Sequence, residues 1–200
     1  MKSYQVTIDI HSEWHVGSGE EGGTYADALV LKNPHNLPFL PGKALKGLFR
    51  DSFLVAHDNR WFGGELTTEA IELLFGHQGQ VEHTHGALSF SNAELSSEES
   101  AYFELYPEHT RHCYRVHFST AINGQTGVAK QTSLRAMEVA IPLRLYARIE
   151  LDDQRLDSRM QQQVNEWLEM CSTLILGLGA KRTRGLGQAT VSIEPVGVQG

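Results

Sequence analysis

"MCSTLILGLGAKRTRGLGQATVSIEP", Met170 to Pro195, joins a helical pattern to an alternating strand through a loop with four glycines and three cations. Upstream, Ser158–Gly177 carries its apolar residues at helical spacing. It predicts a long amphipathic helix with Gly177 as its C-cap. Downstream, Gln188–Pro195 alternates apolar and polar and predicts a strand. The helix, loop and strand close the chain, and the rest of the fold follows by working back from them.

Immediately before the helix, "VAIPLRLYARIEL" sets Val139, Ile141, Leu143, Leu145, Ala147 and Ile149 on one side. That alternation reads as one strand. "GALSFSNAEL" and "YRVHFSTAI" read as strands as well, the second followed by the turn signals Asn123-Gly124 and Thr126-Gly127. At the other end, "YQVTIDI" puts Tyr4, Val6, Ile8 and Ile10 on one face, a half-buried strand. "GSGEEGGTYAD", Gly17 to Asp27, is a loop, and "ALVLKN" is a short strand or extended arm. "NPHNLPFLPG" is excluded from helix by its prolines. "GKALKGLFRDSFLVA" then predicts a helix with Leu45, Leu48, Phe49, Ser52, Val55 and Ala56 inward and Lys43, Lys46 and Arg50 outward. A short helix is expected at "TTEAIELLFG". The core order is strand, helix, strand, strand, helix, strand. It predicts an α+β, ferredoxin-like βαββαβ fold. One domain spans residues 1–200, with insertions at about 57–85 and 96–138.

The chain has 200 residues, 40% of them hydrophobic, with 17 Lys+Arg against 24 Asp+Glu and a net charge of -7. No apolar run is long enough to span a membrane. With no secretion signal, Cys113 and Cys171 are expected as reduced thiols in a cytoplasmic protein. The negative total argues mildly against nucleic acid, but the charge is uneven. Residues 1–100 carry 6 Lys+Arg and 14 Asp+Glu, whereas residues 101–200 carry 11 and 10. The cations cluster as Lys43, Lys46 and Arg50 and again as Lys181, Arg182 and Arg184, and such local patches bind a polyanion whatever the total. Pro41-Gly42 leaves the first N–H groups of its helix free, which suits an anion at the helix start.

The glycine-rich loop, Gly177 to Gly187, lets backbone approach a ligand closely and turns N–H groups toward phosphate. It is neither a Walker A loop nor a Rossmann fingerprint: G-x-x-x-x-G-K-[ST] is missing, and the segment follows a helix instead of a strand. Single-stranded RNA is the natural polyanion for such a loop. Asp27 is the only carboxylate between Gly22 and Asp51; it could hold a divalent cation or orient a phosphate, although a single exposed Asp is more often structural or merely solvated. His83, His85, His109, His112, Cys113 and His117 match no familiar zinc spacing and read as surface histidines. His11 and His15 are possible general bases without an evident partner.

Five segments, in order, carry a resemblance: "HVGSGEEGGTYADALVLKNPHNLPFLPGKALKGLFRDSF" (15–53), "LFG" (74–76), "GALSFSNAEL" (86–95), "INGQTGVAKQTSLRAMEVAIPLRLYARIEL" (122–151) and "LILGLGAKRTRGLGQATV" (174–191). Together they resemble the RAMP superfamily of CRISPR-associated proteins, most of all the repeated backbone subunit of type III (Csm/Cmr) effector complexes. The resemblance implies a ferredoxin-like palm with an inserted β-hairpin thumb, and several copies stacked along a guide RNA (crRNA). It implies guide contacts at Gly177, Gly179, Lys181, Arg182, Arg184, Gly185 and Gly187 and at Lys43, Lys46 and Arg50. The thumb maps to "NGQTGVAKQ", with Lys130 its one cation. Asp27 aligns with the residue that supports cleavage of target RNA with a divalent metal, magnesium or manganese. The partners implied are crRNA, target RNA, further copies of the chain and the other subunits of the complex. A non-catalytic structural subunit and a guide-processing endoribonuclease remain as alternatives, the latter usually built from two ferredoxin-like halves. A metal-binding module unrelated to RNA is the third.

Overall fold

The computed structural model describes residues 1–20, 22–23, 25–78, 83–122, 124–128 and 133–197. In chain order the elements are β1 (Lys2–Ile10), α1 (Gly42–Asp58), α2 (Thr68–Phe75), β2 (Gly76–Gln78), β3 (His83–His85), β4 (Leu88–Phe90) and α3 (Ser97–Leu105). A 3-10 turn over Pro107–Cys113 leads to β5 (Tyr114–Ser119), β6 (Arg135–Ala140), β7 (Arg144–Leu151), α4 (Ser158–Ser172) and β8 (Ala189–Val196).

The central sheet is antiparallel with strand order β4-β7-β1-β8. Leaving aside the inserted elements, the third and fourth strands flank the first, and the second lies at the edge beside the third, the ferredoxin-like arrangement. Along β1 the inward residues Tyr4, Val6, Ile8 and Ile10 are buried, and those between them are half-buried. Val6 lies opposite Ala147 on one side and Ile193 on the other, so one layer of the core crosses three strands. Leu45, Phe49 and Phe53 of α1 and Val164, Trp167, Leu168 and Cys171 of α4 cover that layer. In α1 the inward stripe is Leu45, Phe49, Ser52, Phe53 and Ala56. Phe53 takes the place expected for Val55, which is exposed.

Two expectations need correction. The alternating run 139–151 is two strands in two sheets, not one. Pro142 has no N–H for a continuous ladder, and the chain turns there. Ala140 N–H bonds Trp14 O and Ile141 N–H bonds Cys113 O, while Leu143 O accepts from Ile10. The second correction concerns the last helix, which ends at Ser172 with Thr173 as C-cap, so Gly177 is not its cap. Ser172 and Thr173 hydroxyls bond back to Glu169 O and Met170 O, both at 2.7 Å, and compete for the last carbonyls. The released segment then pairs with β8's approach, Gly177 opposite Gln188.

The inserted hairpin is β5 with β6, in register from Tyr114↔Ala140 to Ser119↔Arg135. It carries exposed Phe118, Ile122, Val128 and Leu134. Lys130 lies outside the described residues, as do Asn123 and 129–132. "ALVLKN" is an extended arm held by isolated bridges: Ala28↔Met137, Val30↔Gly17 and Lys32↔Pro38.

Candidate nucleic-acid interface

The C-terminal glycine-rich loop has a locked base and a bare tip. At the base, Leu178 N–H bonds Gly187 O, Ala180 N–H bonds His15 O and Gly187 N–H bonds Glu13 O, each at 2.8 Å. Gly179 and Gly187 have φ of +74° and +67°. A Cβ on the first would collide with the His15 carbonyl, and on the second with that of Leu178. Only glycine fits both the backbone region and the space. At the tip, Lys181 is left-handed, Arg182–Arg184 form one 3-10 turn, and Gly185 is left-handed again. Lys181, Arg182 and Arg184 are exposed. Among the described residues none of the three has a carboxylate ion-pair partner. Three unpaired cations on a rigid base are ready for phosphate.

The α1 cations sit elsewhere. Lys43 and Lys46 line a hollow of about 320 Å³ with His85, Gly86 and Ser89. Arg182 lines a separate groove of about 530 Å³ with Leu48, Asp51 and Val55 of α1. Arg50 lines neither. Lys43 and Lys46 thus line one hollow and Arg182 another. Burial lowers the Lys46 pKa, and the charge of Arg50 one turn on adds to the shift. The free helix start also needs correction. Gly42 N–H donates to Asn92 Oδ1 at 3.0 Å, and those of Ala44 and Leu45 bond Pro41 O. Gly42 is buried, and a Cβ there would meet the Phe90 and Ser91 carbonyls. The start of α1 is packed against the end of β4, and its Gly42 N–H is not free for an anion.

Asp27 lies beside the loop end of the β5–β6 ladder, where Ala136 pairs with Phe118. Its N–H donates to Ala136 O at 2.8 Å, and its Oδ2 accepts from Ala136 N–H at 2.7 Å. The residue is exposed. One carboxylate oxygen is therefore committed to backbone. Among the described residues no group of three or more His, Cys, Asp or Glu could hold a metal ion. That donor set does not build a cage. It does fit a magnesium-type ion carried by one carboxylate together with substrate phosphates.

Two residues near Asp27 escaped the sequence reading. Glu138 is 1% exposed and pairs with Lys32, Oε1 to Nζ at 3.0 Å. Its Oε2 accepts from Val30 N–H at 3.0 Å. The ammonium of Lys32 also sits 4.1 Å from the centroid of the Tyr114 ring. Burial, then the Glu138 charge, then a hydrogen bond to Glu138 push the Tyr25 phenol's pKa upward. No local signal marked Glu138, since alternation places it on the face opposite Val139, whereas in β6 both are buried. His15 is buried, and its Nδ1–H donates to Glu138 O at 2.7 Å. The partner missing from the sequence reading is thus a backbone carbonyl. His109 bonds the Tyr102 hydroxyl, and His117 pairs with Glu13. The side chain of His83 lies outside the described residues.

An antiparallel ferredoxin-like palm with an inserted hairpin and a cationic glycine-rich loop before its last strand defines the class. The sequence profile described as the RAMP superfamily matches residues 7–190, and the chain belongs to that family. No curated protein matches it in sequence. Among solved structures it is similar to a chain of the type III-B Cmr-beta complex bound to cognate target RNA, determined by cryo-electron microscopy. The TM-score is 0.70 at 12% identity, over 96% of each chain. A chain of type III-B Cmr-beta in its apo state aligns with a TM-score of 0.66 at 11% identity, over 98% of each chain. No helix among the described residues is long and apolar enough to cross a membrane.

Proposed function

We propose that this chain is a crRNA-binding backbone subunit of a type III CRISPR interference complex, and that it cuts target RNA at a site served by Asp27. The observation that carries the reading is the C-terminal loop: three unpaired, exposed cations on a base that backbone collisions hold in one shape. Such a tip grips phosphates without reading bases, as a guide of any sequence demands. Full-length likeness to a Cmr-beta chain bound to target RNA supports the same partner class. Copies of the chain would share the guide, which suits a protein whose net charge is -7.

Cleavage follows the chemistry of RNA. The 2′-hydroxyl attacks the adjacent phosphorus in line, the bond to the 5′-oxygen breaks, and a 2′,3′-cyclic phosphate and a 5′-hydroxyl result. The chain's share is positioning. The β5–β6 hairpin presents exposed Phe118, Ile122, Val128 and Leu134 as apolar wedges against stacked bases. Asp27 stands beside the loop end of its ladder with one oxygen fixed by Ala136 N–H, so its carboxylate is aimed. A magnesium or manganese ion held there with the scissile phosphate would supply charge neutralisation.

The test is Asp27→Asn. Asparagine keeps an oxygen for Ala136 N–H and loses the charge. The assembled, guide-loaded complex should form normally and stop cutting target RNA. Unchanged cutting overturns the enzymatic half of the proposal and leaves the non-catalytic subunit, for which the bond to Ala136 is the specific support.

A further inference from the structure

The most buried charge among the described residues has no part in the chemistry above. Glu138 sits on β6 and is 1% exposed, yet its carboxylate is fully served, and every donor to it comes from one short segment. Val30 N–H and Lys32 Nζ each reach it at 3.0 Å. The backbone of the same residue adds two bonds. Glu138 N–H donates to Ala28 O at 2.9 Å, and Glu138 O accepts from His15 Nδ1 at 2.7 Å. Ala28, Val30 and Lys32 are alternate residues, the face that an extended arm turns to its neighbour. Asp27 immediately precedes them and pairs with Ala136, two residues before Glu138.

An apolar residue would fill this position at less cost, since taking a carboxylate out of water is unfavourable even when it is paired. What a charge adds is register. A slip of the arm by two residues would keep its inward face but carry Lys32 about 7 Å from Glu138. A buried carboxylate would then stand unpaired, a state far more costly than the paired one. Apolar packing alone would tolerate that slip. The ion pair discriminates against it, and so fixes where Asp27 stands along β6.

We propose that Glu138, through its pair with Lys32, is a positioning residue that sets the register of the 25–32 arm and thereby places Asp27 for cleavage. The proposal rests on the reading that Asp27 serves cleavage. Its effect also extends toward the cation loop, because the His15 that Glu138 holds accepts Ala180 N–H through its own carbonyl.

The experiment uses the assembled, guide-loaded complex and a complementary target RNA under single-turnover conditions, with Glu138→Gln, Lys32→Met, the double variant and Asp27→Asn. The single variants should each lower the cutting rate at saturating complex at least ten-fold. The complex concentration giving half that rate, and the length of the bound guide, should stay as in the parent. The double variant should be no slower than the slower single variant, because the two residues act as one unit. Amide exchange at Ala136 should quicken in Glu138→Gln while that at Val6 does not change. Lys32 is partly exposed, so Lys32→Met decides the question if Glu138→Gln fails to fold. Parental cutting rates in the single variants, with Asp27→Asn inactive, overturn the positioning role alone. So do losses that multiply in the double variant. An active Asp27→Asn overturns the reading beneath it and the proposal with it.

Discussion

The two glycine-rich loops look alike in sequence and differ in what their glycines do. In Gly177–Gly187, a Cβ at Gly177, Gly179 or Gly187 would press on backbone, and only Gly185 faces open space. In Gly17–Asp27, Gly19 and Gly23 face open space, and Gly22 meets only the side chain of Leu29 and the Ala26 carbonyl. The C-terminal loop is shaped chiefly by backbone collisions. The arm that follows the N-terminal loop is placed by side chains, Glu138 of β6 accepting from Val30 N–H and Asp27 of the arm accepting from Ala136 N–H.

The strongest way to break that comparison is to give both loops a methyl group. Gly187→Ala combines φ of +67° with a collision on Leu178 O and should cost more than about 3 kcal/mol, read as a urea midpoint. Gly19→Ala carries only the left-handed penalty at φ +81° in open space, about 1 kcal/mol. Equal costs would erase the distinction. Next in size is the charge at the tip. Alanine at Lys181, Arg182 and Arg184 together should leave stability unchanged. The slope of log affinity for single-stranded RNA against log salt should shrink by roughly 2, at about 0.7 per lost phosphate contact.

A third test probes the base on which the C-terminal loop stands. Burial pushes the Cys171 thiol from 9.0 to about 12. Burial, with a smaller part from the Asp153 charge, pushes the Tyr4 phenol from 10.0 to about 12. Both folded values lie above the unfolded ones. The stability tied to keeping these groups protonated is therefore whole below pH 9 and is lost as pH rises toward 12, at about 1.4 kcal/mol per unit for each group. Cys171→Ala should move the start of that alkaline loss from near pH 9 to near pH 10, seen in thermal midpoints. The smallest effect belongs to Glu13, which ties Arg115 and His117 of β5 to the loop beside the cradle. Glu13→Gln should cost about 0.5 kcal/mol, because an exposed pair contributes little. A larger loss would make the C-terminal loop's neighbourhood as dependent on ion pairs as the Asp27 arm.

Much of the fold was legible because its strands are half-buried and its helices amphipathic. Tyr4, Val6, Ile8 and Ile10 alternate in sequence and are buried in the fold. The α3 helix was missed although Ser96 and Glu99 form a capping box, a signal readable as S-x-x-E. Its hydrophobic periodicity is poor, and none of its residues is buried. The run 139–151 misled because alternation reports that one face is buried and not which sheet buries it. Of the site, the cation loop and Asp27 were visible as residue types. Glu138 with Lys32 was not, since 106 residues separate the partners.

The sequence by itself determined the order of elements, the inward faces and the place where cations gather between glycines. These are local properties, set by side-chain periodicity and backbone freedom. Only the tertiary structure decided that Lys43 and Lys46 line one hollow and Arg182 another, that Gly42 N–H is taken by Asn92, and that a buried carboxylate from β6 holds the arm of Asp27. Those outcomes depend on which distant segments meet. A buried charge reveals its purpose only through the partner that the fold brings to it.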